Sequence, residues 1–149
     1  MKKYLEDIQI NVKIKLSILW IGLMFFYIYN DILSLYRQKI LEGLLAGELE
    51  GITFTQEVLF GAAILMMIPI FMIFLSIALP AKWNRWVNII VGIFHAIVLA
   101  GTLLAPGEIW AHYAFYMLLE AVFIVLIIWY AWKWPTKEFM SKKALKKEE

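Results

Sequence analysis

The sequence predicts an all-α protein, a four-helix transmembrane bundle, on three observations. Of its 149 residues, 63% are hydrophobic and the mean hydropathy is +0.76, whereas soluble domains are about 45–50% apolar. The apolar residues fall into four segments, each close to the ~17–25 residues that a membrane helix requires. The net charge is only +2, but the basic residues cluster at both termini and in one loop. Such asymmetry indicates membrane orientation, with no nucleic-acid partner expected.

We expect a single integral membrane domain over residues 1–149. Helices are predicted at residues 16–36, 58–79, 87–105 and 109–132, with an outer loop at 37–55 and a cytoplasmic basic tail at 133–149. No segment alternates as a strand would. The first is too long for a signal peptide, carries Asn30 and Asp31 near its end and lacks a small-x-small cleavage site. It is therefore expected to be a retained helix.

Two features of the outer loop affect its predicted conformation. Leucine and isoleucine recur at helical spacing at Ile40, Leu41, Leu44 and Leu45, which predicts a short helix lying on the outer surface. Three glycines are spaced four residues apart, at Gly43, Gly47 and Gly51. Because this stretch is polar and lies outside the spans, the glycines favour a flexible loop over a helix-packing motif.

The lysines and arginines predict that both termini are cytoplasmic. Most of them flank one side of the spans: Lys2, Lys3, Lys13, Lys15, Lys82, Arg85, Lys133, Lys137, Lys142, Lys143, Lys146 and Lys147. Only Arg37 and Lys39 fall on the other side. By the positive-inside rule the chain is then a multi-pass protein of the cell membrane, with the lipid bilayer as its partner. The basic tail either lies along anionic headgroups or is a solvated topology signal.

Glu120 is the one formal charge between Tyr113 and Trp132. A carboxylate at the centre of a span costs at least ~2.5 kcal/mol on insertion scales, so it is expected to face the protein interior and to have a partner. His95 is the candidate partner. The third and fourth helices must be antiparallel neighbours around the short turn near Gly107, and a rise of 1.5 Å per residue then puts His95 and Glu120 at the same level.

Polar residues form matched stripes on these two helices. Helix three carries Asn88, Gly92, His95 and Thr102 on one face, and helix four carries Tyr113, Tyr116 and Glu120. One interpretation is a buried His–Glu pair that holds a proton, an ion or a polar ligand group. The other is a hydrogen bond that fixes helix packing. Both stay open at this point.

Helix one adds a third polar face, which includes Tyr27 and Asp31. The candidate ligand- or proton-binding residues are accordingly His95, Glu120, Asp31, Tyr27, Tyr116 and Asn88. Glu57 and His112 begin helices two and four and would ring an outer vestibule with Asp31. Carboxylates and histidine can bind a divalent metal, but both residues lie in the first turn of a helix, where a solvated side chain needs no special role. No metal site is expected.

Other chemistries find no support in the sequence. Without cysteine, thiolate catalysis and cysteine metal sites are excluded. His95 and His112 differ in depth by roughly 10 Å, too much for the two axial ligands of one haem. No lysine lies within a span, and no phosphate-binding glycine loop or hydrolase motif occurs. No cofactor is expected.

Pro69, in the middle of helix two, predicts a bend. Proline cannot donate a backbone hydrogen bond, so the carbonyl of Leu65 is freed. Gly61 and Ser76 on either side would allow close helix approach.

Six stretches carry a resemblance to a known family: Asn11–Ser17, Tyr27–Asp31, Ile64–Pro69, Met72–Ser76, Asn84–Ile90 and Trp129–Pro135. Together they resemble a family of small four-span prokaryotic integral membrane proteins catalogued as a domain of unknown function. The resemblance covers nearly the whole chain. It implies a four-helix membrane fold and carries over no activity and no site. In size and layout the chain is also loosely similar to DoxX-like four-helix proteins, without a diagnostic motif.

Three functional hypotheses follow. The first is a non-enzymatic membrane protein that binds or transports a small solute or protons in an outward-open polar pocket between helices one, three and four. Transport would need a homo-oligomer or a membrane partner protein. The second is a structural or accessory subunit, with the polar stripes filled by interhelical hydrogen bonds. The third is a membrane enzyme acting on a lipid or quinone, with a lateral opening near Asp31 and Glu57. A cavity reaching Glu120 would favour the first.

Overall fold

The chain forms a helical bundle with a small β-hairpin at one end. A computed structural model describes residues 9–49, 51–104 and 108–135. In chain order its elements are α1 (Val12–Ser34), α2 (Gln38–Ala46), β1 (Glu48–Leu49), β2 (Ile52–Thr53), α3 (Gln56–Ala78), α4 (Ala81–Leu104) and α5 (Ala111–Trp132). Four of these, α1, α3, α4 and α5, are long and apolar enough to cross a membrane. The predicted all-α, four-helix class is confirmed.

The helix starts follow from local capping. Asn11 precedes α1 and its side chain accepts a hydrogen bond from the backbone N–H of Lys13 at 2.9 Å, and the Thr55 hydroxyl accepts from Val58 N–H before α3. The helix α4 begins at Ala81, six residues before the predicted start at residue 87. Pro80 stands just before the helix, and its carbonyl accepts from Asn84 N–H at 2.9 Å. A proline is well tolerated there because the first N–H groups have no partner within the helix.

The four long helices pack in the order α3, α1, α5, α4 around the bundle. The helix α1 packs against both α3 and α5, α4 packs against α5, and α3 and α4 meet less extensively. We call the end where α1 and α4 begin the termini end, and the opposite end the α2 end. The buried apolar core lies in the half nearest the termini end and consists of Leu16, Trp20, Leu23, Met72, Ile89, Ile124, Ile127 and Ala131.

Two glycines allow the helices to approach α5 closely. A Cβ atom at Gly22 of α1 would lie 2.5 Å from Phe123 Cε1, and one at Gly92 of α4 would lie 2.8 Å from Ile128 Cγ1. Gly61 behaves differently, since no atom would lie within 4 Å of its Cβ. The expectation that Gly61 serves close helix approach is therefore wrong.

The connection between α1 and α3 is more ordered than expected. Its predicted short helix is α2, and a hairpin follows in which Glu48 pairs with Thr53 and Leu49 with Ile52. Gly47 ends α2 in the left-handed conformation, with φ of 79°, which glycine adopts without steric cost. A Cβ at Gly43 would lie 2.7 Å from the Glu48 carbonyl oxygen. The glycines thus fit specific backbone geometry rather than forming a flexible loop.

Parts of several predictions lie outside the described residues. These are Lys2 and Lys3, the turn at 105–107, and the basic tail from residue 136 onward.

Candidate functional site

A cavity of about 160 Å³ lies in the half of the bundle nearest the α2 end. All four long helices contribute to its wall. The polar lining residues are Tyr27, Asn30, Asp31, His95, Thr102, Tyr113 and Glu120, and the apolar ones are Leu65, Met66, Val98, Leu99 and Met117. The cavity therefore lies on the opposite side of the molecule's midpoint from the packed core, and it reaches both His95 and Glu120.

His95 and Glu120 lie at matching depths. His95 precedes the end of α4 at Leu104 by nine residues, and Glu120 follows the start of α5 at Ala111 by nine residues. At 1.5 Å per residue each lies about 14 Å from the α2 end of its helix. That is close to the middle of a hydrocarbon core roughly 30 Å thick. The cavity thus extends to mid-depth.

Three cavity side chains hold polar atoms that are buried without a hydrogen-bond partner. Glu120 is 4% exposed, His95 1% and Asn30 6%. The atoms concerned are Glu120 Oε1, His95 Nε2 and Asn30 Oδ1. An unsatisfied buried polar group costs about 1–3 kcal/mol, and more when it is charged. Such atoms call for a partner other than the side chains around them, such as water, an ion or a ligand.

The histidine is held by aromatic neighbours rather than by Glu120. Its Nδ1 lies 3.1 Å from the hydroxyl of Tyr27, and the two rings stack with centroids 5.9 Å apart. Trp20 meets the imidazole edge-on at 5.7 Å. Since Nδ1 contacts Tyr27 and Nε2 has no partner, the direct hydrogen bond expected between His95 and Glu120 is not formed. The two side chains share a cavity and are not a bonded pair.

The mouth of the cavity lies toward the α2 end. Of the lining residues, only Asp31 and Thr102 are exposed; the others are buried or half-buried. Asp31 lies one helical turn beyond Tyr27 on α1, toward the α2 end. Asp31 is therefore the carboxylate of the cavity wall that is exposed, whereas Glu120 is buried.

A second polar cluster, deeper in the bundle, has its hydrogen bonds satisfied. Trp20 Nε1 donates to Asn88 Oδ1 at 2.7 Å, and the Ser76 hydroxyl donates to the same oxygen at 3.2 Å. Asn88 Nδ2 donates to Asn84 Oδ1 at 2.7 Å, and Asn84 Nδ2 donates to the Ser76 carbonyl. We call Trp20, Ser76, Asn84 and Asn88 the asparagine network. It joins α1, α3 and α4 near the termini end.

Two of the predicted ligand- or proton-binding residues, Asn88 and Tyr116, lie outside the cavity wall. Asn88 is hydrogen-bonded within the asparagine network, on the side of the cavity nearest the termini end. Tyr116 packs its ring against Phe26 and Phe115, with centroids 6.2 and 5.9 Å away. Asn88 is surrounded by its hydrogen-bond partners, and Tyr116 is surrounded by other aromatic rings. The structure therefore does not bring these two residues together with the other four in the cavity wall.

The predicted outer vestibule is also not assembled as expected. Glu57 is exposed, as are all the residues from 56 to 64, because the first turns of α3 stand away from the other helices. His112 is half-buried beside Trp110, with ring centroids 6.1 Å apart. Of the three residues, only Asp31 lines the cavity. Within the described part of the chain, no three His, Cys, Asp or Glu residues are grouped closely enough to hold a metal ion.

Sequence reasoning misses Asn30 and Tyr113 as site residues. Asn30 was detectable, since it lies three residues after Tyr27 and so shares its helix face. Tyr113 lies on the same stripe as Glu120, two turns away. Both residues line the cavity.

The proline of α3 coincides with the cavity. Pro69 is buried and lacks an N–H, so the carbonyl of Leu65 has lost its usual partner four residues on. Leu65 and Met66 are the residues of α3 that line the cavity. The predicted disturbance of α3 therefore falls at the level of the site.

Comparison with known proteins gives one finding. A family model described as Family of unknown function (DUF6326) matches residues 2–141, so the chain belongs to that family. No curated protein and no solved structure matches the chain. The expectation of a family without an assigned function is confirmed. Its expected prokaryotic origin and the likeness to DoxX-like proteins receive no support from the match.

Proposed function

Because membership of the DUF6326 family assigns no activity, we propose a function from the cavity itself. The chain is a multi-pass membrane protein that binds a small polar solute or protons within the bundle and carries them across the membrane. One observation carries this proposal. A cavity of about 160 Å³ reaches mid-depth and is lined by buried polar atoms of Asn30, His95 and Glu120 that have no partner. Burying polar groups at such a depth costs free energy, and such groups typically line a solute or proton path.

The exposed surface supports a bilayer environment. Large apolar side chains are exposed along all four long helices, and on α3 they include Phe60, Phe71 and Phe74. A soluble monomer rarely exposes a contiguous apolar patch of more than a few hundred Å². Helices satisfy their backbone hydrogen bonds internally, which a membrane span requires. The proposed location is the cell membrane.

The charge distribution supports cytoplasmic termini. Lys13, Lys15, Lys82, Arg85 and Lys133 lie at the termini end of their helices. The α2 end has only two described basic residues. The positive-inside rule then places the termini end in the cytoplasm and opens the cavity mouth to the outside.

The other two hypotheses fit the cavity less well. An accessory subunit would have its polar stripes filled by interhelical hydrogen bonds, which holds for the asparagine network but not around Glu120. A lipid or quinone enzyme would have an opening beside Asp31 and Glu57, yet Glu57 stands apart from the cavity. For transport, a bundle of this size is expected to act as a homo-oligomer or with a membrane partner.

Thiol modification tests whether water-soluble molecules reach the cavity. The chain has no cysteine, so a single introduced thiol gives an unambiguous signal. Met117 lines the cavity and is 7% exposed, whereas Ile124, two turns further along α5, lies in the packed core and is 2% exposed. Methanethiosulfonate reagents require a hydrated thiolate. We expect Met117→Cys to be modified at least about tenfold faster than Ile124→Cys in proteoliposomes.

The two positions are similarly buried, so a difference in rate reports access through the cavity rather than surface exposure. Equal and slow modification of both variants would mean that no aqueous path reaches mid-depth, and the proposed function would then be wrong.

A further inference from the structure

We infer that the solute is a small organic cation, a primary ammonium ion with about six non-hydrogen atoms. The inference rests on the proposed function, because it names the class of solute for the same cavity. Four properties of the wall support it: its charge, its unpartnered acceptor atoms, its aromatic rings and its size.

The charge of the wall favours a cation. Asp31 and Glu120 are both carboxylates, and none of the twelve described lining residues is a lysine or arginine. The buried basic residue at the α2 end is engaged elsewhere, because the Arg37 guanidinium lies over the Trp110 ring at 4.6 Å. An anion in this cavity would meet like charge without compensation, which costs several kcal/mol in recognition sites.

The unpartnered atoms favour a ligand that donates hydrogen bonds. Two of the three unpartnered atoms of the wall, Glu120 Oε1 and Asn30 Oδ1, are acceptors, and both belong to side chains that are more than nine-tenths buried. An ammonium group carries three N–H donors and no acceptor. Hydrogen bonds between an ionised donor and an ionised acceptor are about twice as strong as neutral ones. A primary ammonium group therefore matches these acceptors in hydrogen-bonding character, and it supplies the counter-charge to Glu120.

The remaining lining residues suit the organic part of such a cation. Tyr27 and Tyr113 bring aromatic rings to the wall, and the faces of such rings attract cations. Leu65, Val98 and Met117 offer an apolar surface for a short hydrocarbon chain. A bare metal cation would gain nothing from these apolar contacts.

The volume limits the size of the solute. A protein cavity of about 150 Å³ holds a benzene molecule, which has six non-hydrogen atoms. The present cavity, at about 160 Å³, accepts a solute of similar size. An aminoalkane of four to five carbons and the ethanolamine headgroup of a phospholipid both meet this limit.

The test measures binding of n-butylammonium to the full chain in phosphatidylcholine nanodiscs by isothermal titration calorimetry. The neutral analogue n-butanol and the anion butyrate have nearly the same size. We expect n-butylammonium to bind and the other two to give no saturable signal. In Glu120→Gln, which keeps the shape of the side chain and removes its charge, we expect the affinity for n-butylammonium to fall by at least about tenfold, or 1.4 kcal/mol.

Glu57→Gln is the matched control, because it removes a carboxylate that is exposed and outside the cavity. It should bind n-butylammonium as the parent does. Equal loss in both variants would show that general surface charge attracts the cation, and would overturn the inference. Saturable binding of n-butanol or butyrate with comparable affinity, or no binding of n-butylammonium to a folded parent, would overturn it as well.

Two further comparisons separate the alternatives. Replacing part of the lipid by phosphatidylethanolamine should weaken apparent n-butylammonium binding if a lipid headgroup supplies the ammonium ion. Binding that does not change with the lipid indicates a free amine, and both results support the ammonium class. Failure of the ammonium probe while Met117→Cys is still modified rapidly would reject the cation and keep the solute cavity. Failure of that modification would reject the proposed function itself.

Discussion

Asn88 and Glu120 are both buried inside the bundle, yet their hydrogen bonding differs. Asn88 accepts from Trp20 and Ser76 and donates to Asn84, whereas Glu120 Oε1 has no partner. A satisfied buried network stabilises helix association, and an unsatisfied buried group opposes it. The two residues are therefore expected to respond to mutation in opposite directions.

Asn88→Ala should lower the free energy of unfolding by about 1–3 kcal/mol, because it leaves Trp20 Nε1 and Ser76 without their acceptor. The measurement is unfolding by SDS in mixed micelles, followed by tryptophan fluorescence. An unchanged midpoint would indicate that the asparagine network contributes nothing to stability.

Glu120→Gln should leave the free energy of unfolding unchanged or raise it, because a neutral amide is less costly to bury than a carboxylate. The same SDS titration gives the answer. A loss as large as that of Asn88→Ala would mean that Glu120 has a structural partner, and would favour the packing interpretation of the site.

The depth of His95 and Glu120 follows from the sequence, since two antiparallel helices with a constant rise must match levels from their common turn. The different roles of Asn88 and His95 do not follow from the sequence. They lie seven residues apart on one face of α4, so periodicity treats them alike. Trp20 of α1 binds the first and Tyr27 of α1 binds the second. The rotation of α1 relative to α4, which decides these partners, depends on packing between helices distant in the chain.

At the scale of elements, α5 is packed closely by α1 and α4 through glycines. Gly22 of α1 meets the ring of Phe123, which is itself in edge contact with Phe26 at 4.8 Å. Any larger side chain at residue 22 must displace that ring. The interface between α1 and α5 is consequently sensitive to added volume at residue 22.

Gly22→Val should lower the free energy of unfolding by about 1–3 kcal/mol through overpacking. Gly61→Val is the matched control, because it makes the same change in a helix where no atom lies within 4 Å of the new Cβ. SDS unfolding of the two variants checks this. Equal effects would show that helix propensity, and not contact with Phe123, determines the outcome.

The end of α3 illustrates what charge patterning alone does not reveal. Lys13 is expected as a topology signal, but its Nζ also donates to the carbonyls of Ile77 and Leu79, at 3.0 and 2.6 Å. These carbonyls lie at the end of α3, where the last groups have no partner within the helix. Lys13, 64 positions from Ile77 in sequence, supplies that missing partner. Local sequence around α3 gives no sign of this contact.

At the scale of the molecule, the bundle is divided between a packed half and a hollow half. The apolar core and the asparagine network fill the half nearest the termini end, and the cavity occupies the half nearest the α2 end. Composition and hydropathy predict the four helices well, since a bilayer imposes length and apolarity on each. They do not predict the division, because it depends on which side chains meet across helices.

The proposed orientation predicts which face is accessible in intact cells. Thr53→Cys in the hairpin should react with a membrane-impermeant maleimide added outside, and Lys82→Cys should react only after permeabilisation. Both positions are exposed, and the parent has no cysteine to react. The opposite labelling pattern would reverse the orientation and turn the cavity mouth to the cytoplasm.

The position of Arg37 has a consequence for kinetics. Its guanidinium is buried over Trp110 and donates to the Glu108 carbonyl at 3.4 Å, which leaves Lys39 as the sole exposed basic residue among those described at the α2 end. The described acidic residues exposed there include Asp31, Glu42, Glu48 and Glu108. Such a negative rim raises the local concentration of cations and speeds their arrival, an effect that salt screens within about 10 Å. How often a cation reaches the mouth would then depend on the ionic strength outside the cell, before any contact with Glu120 is made.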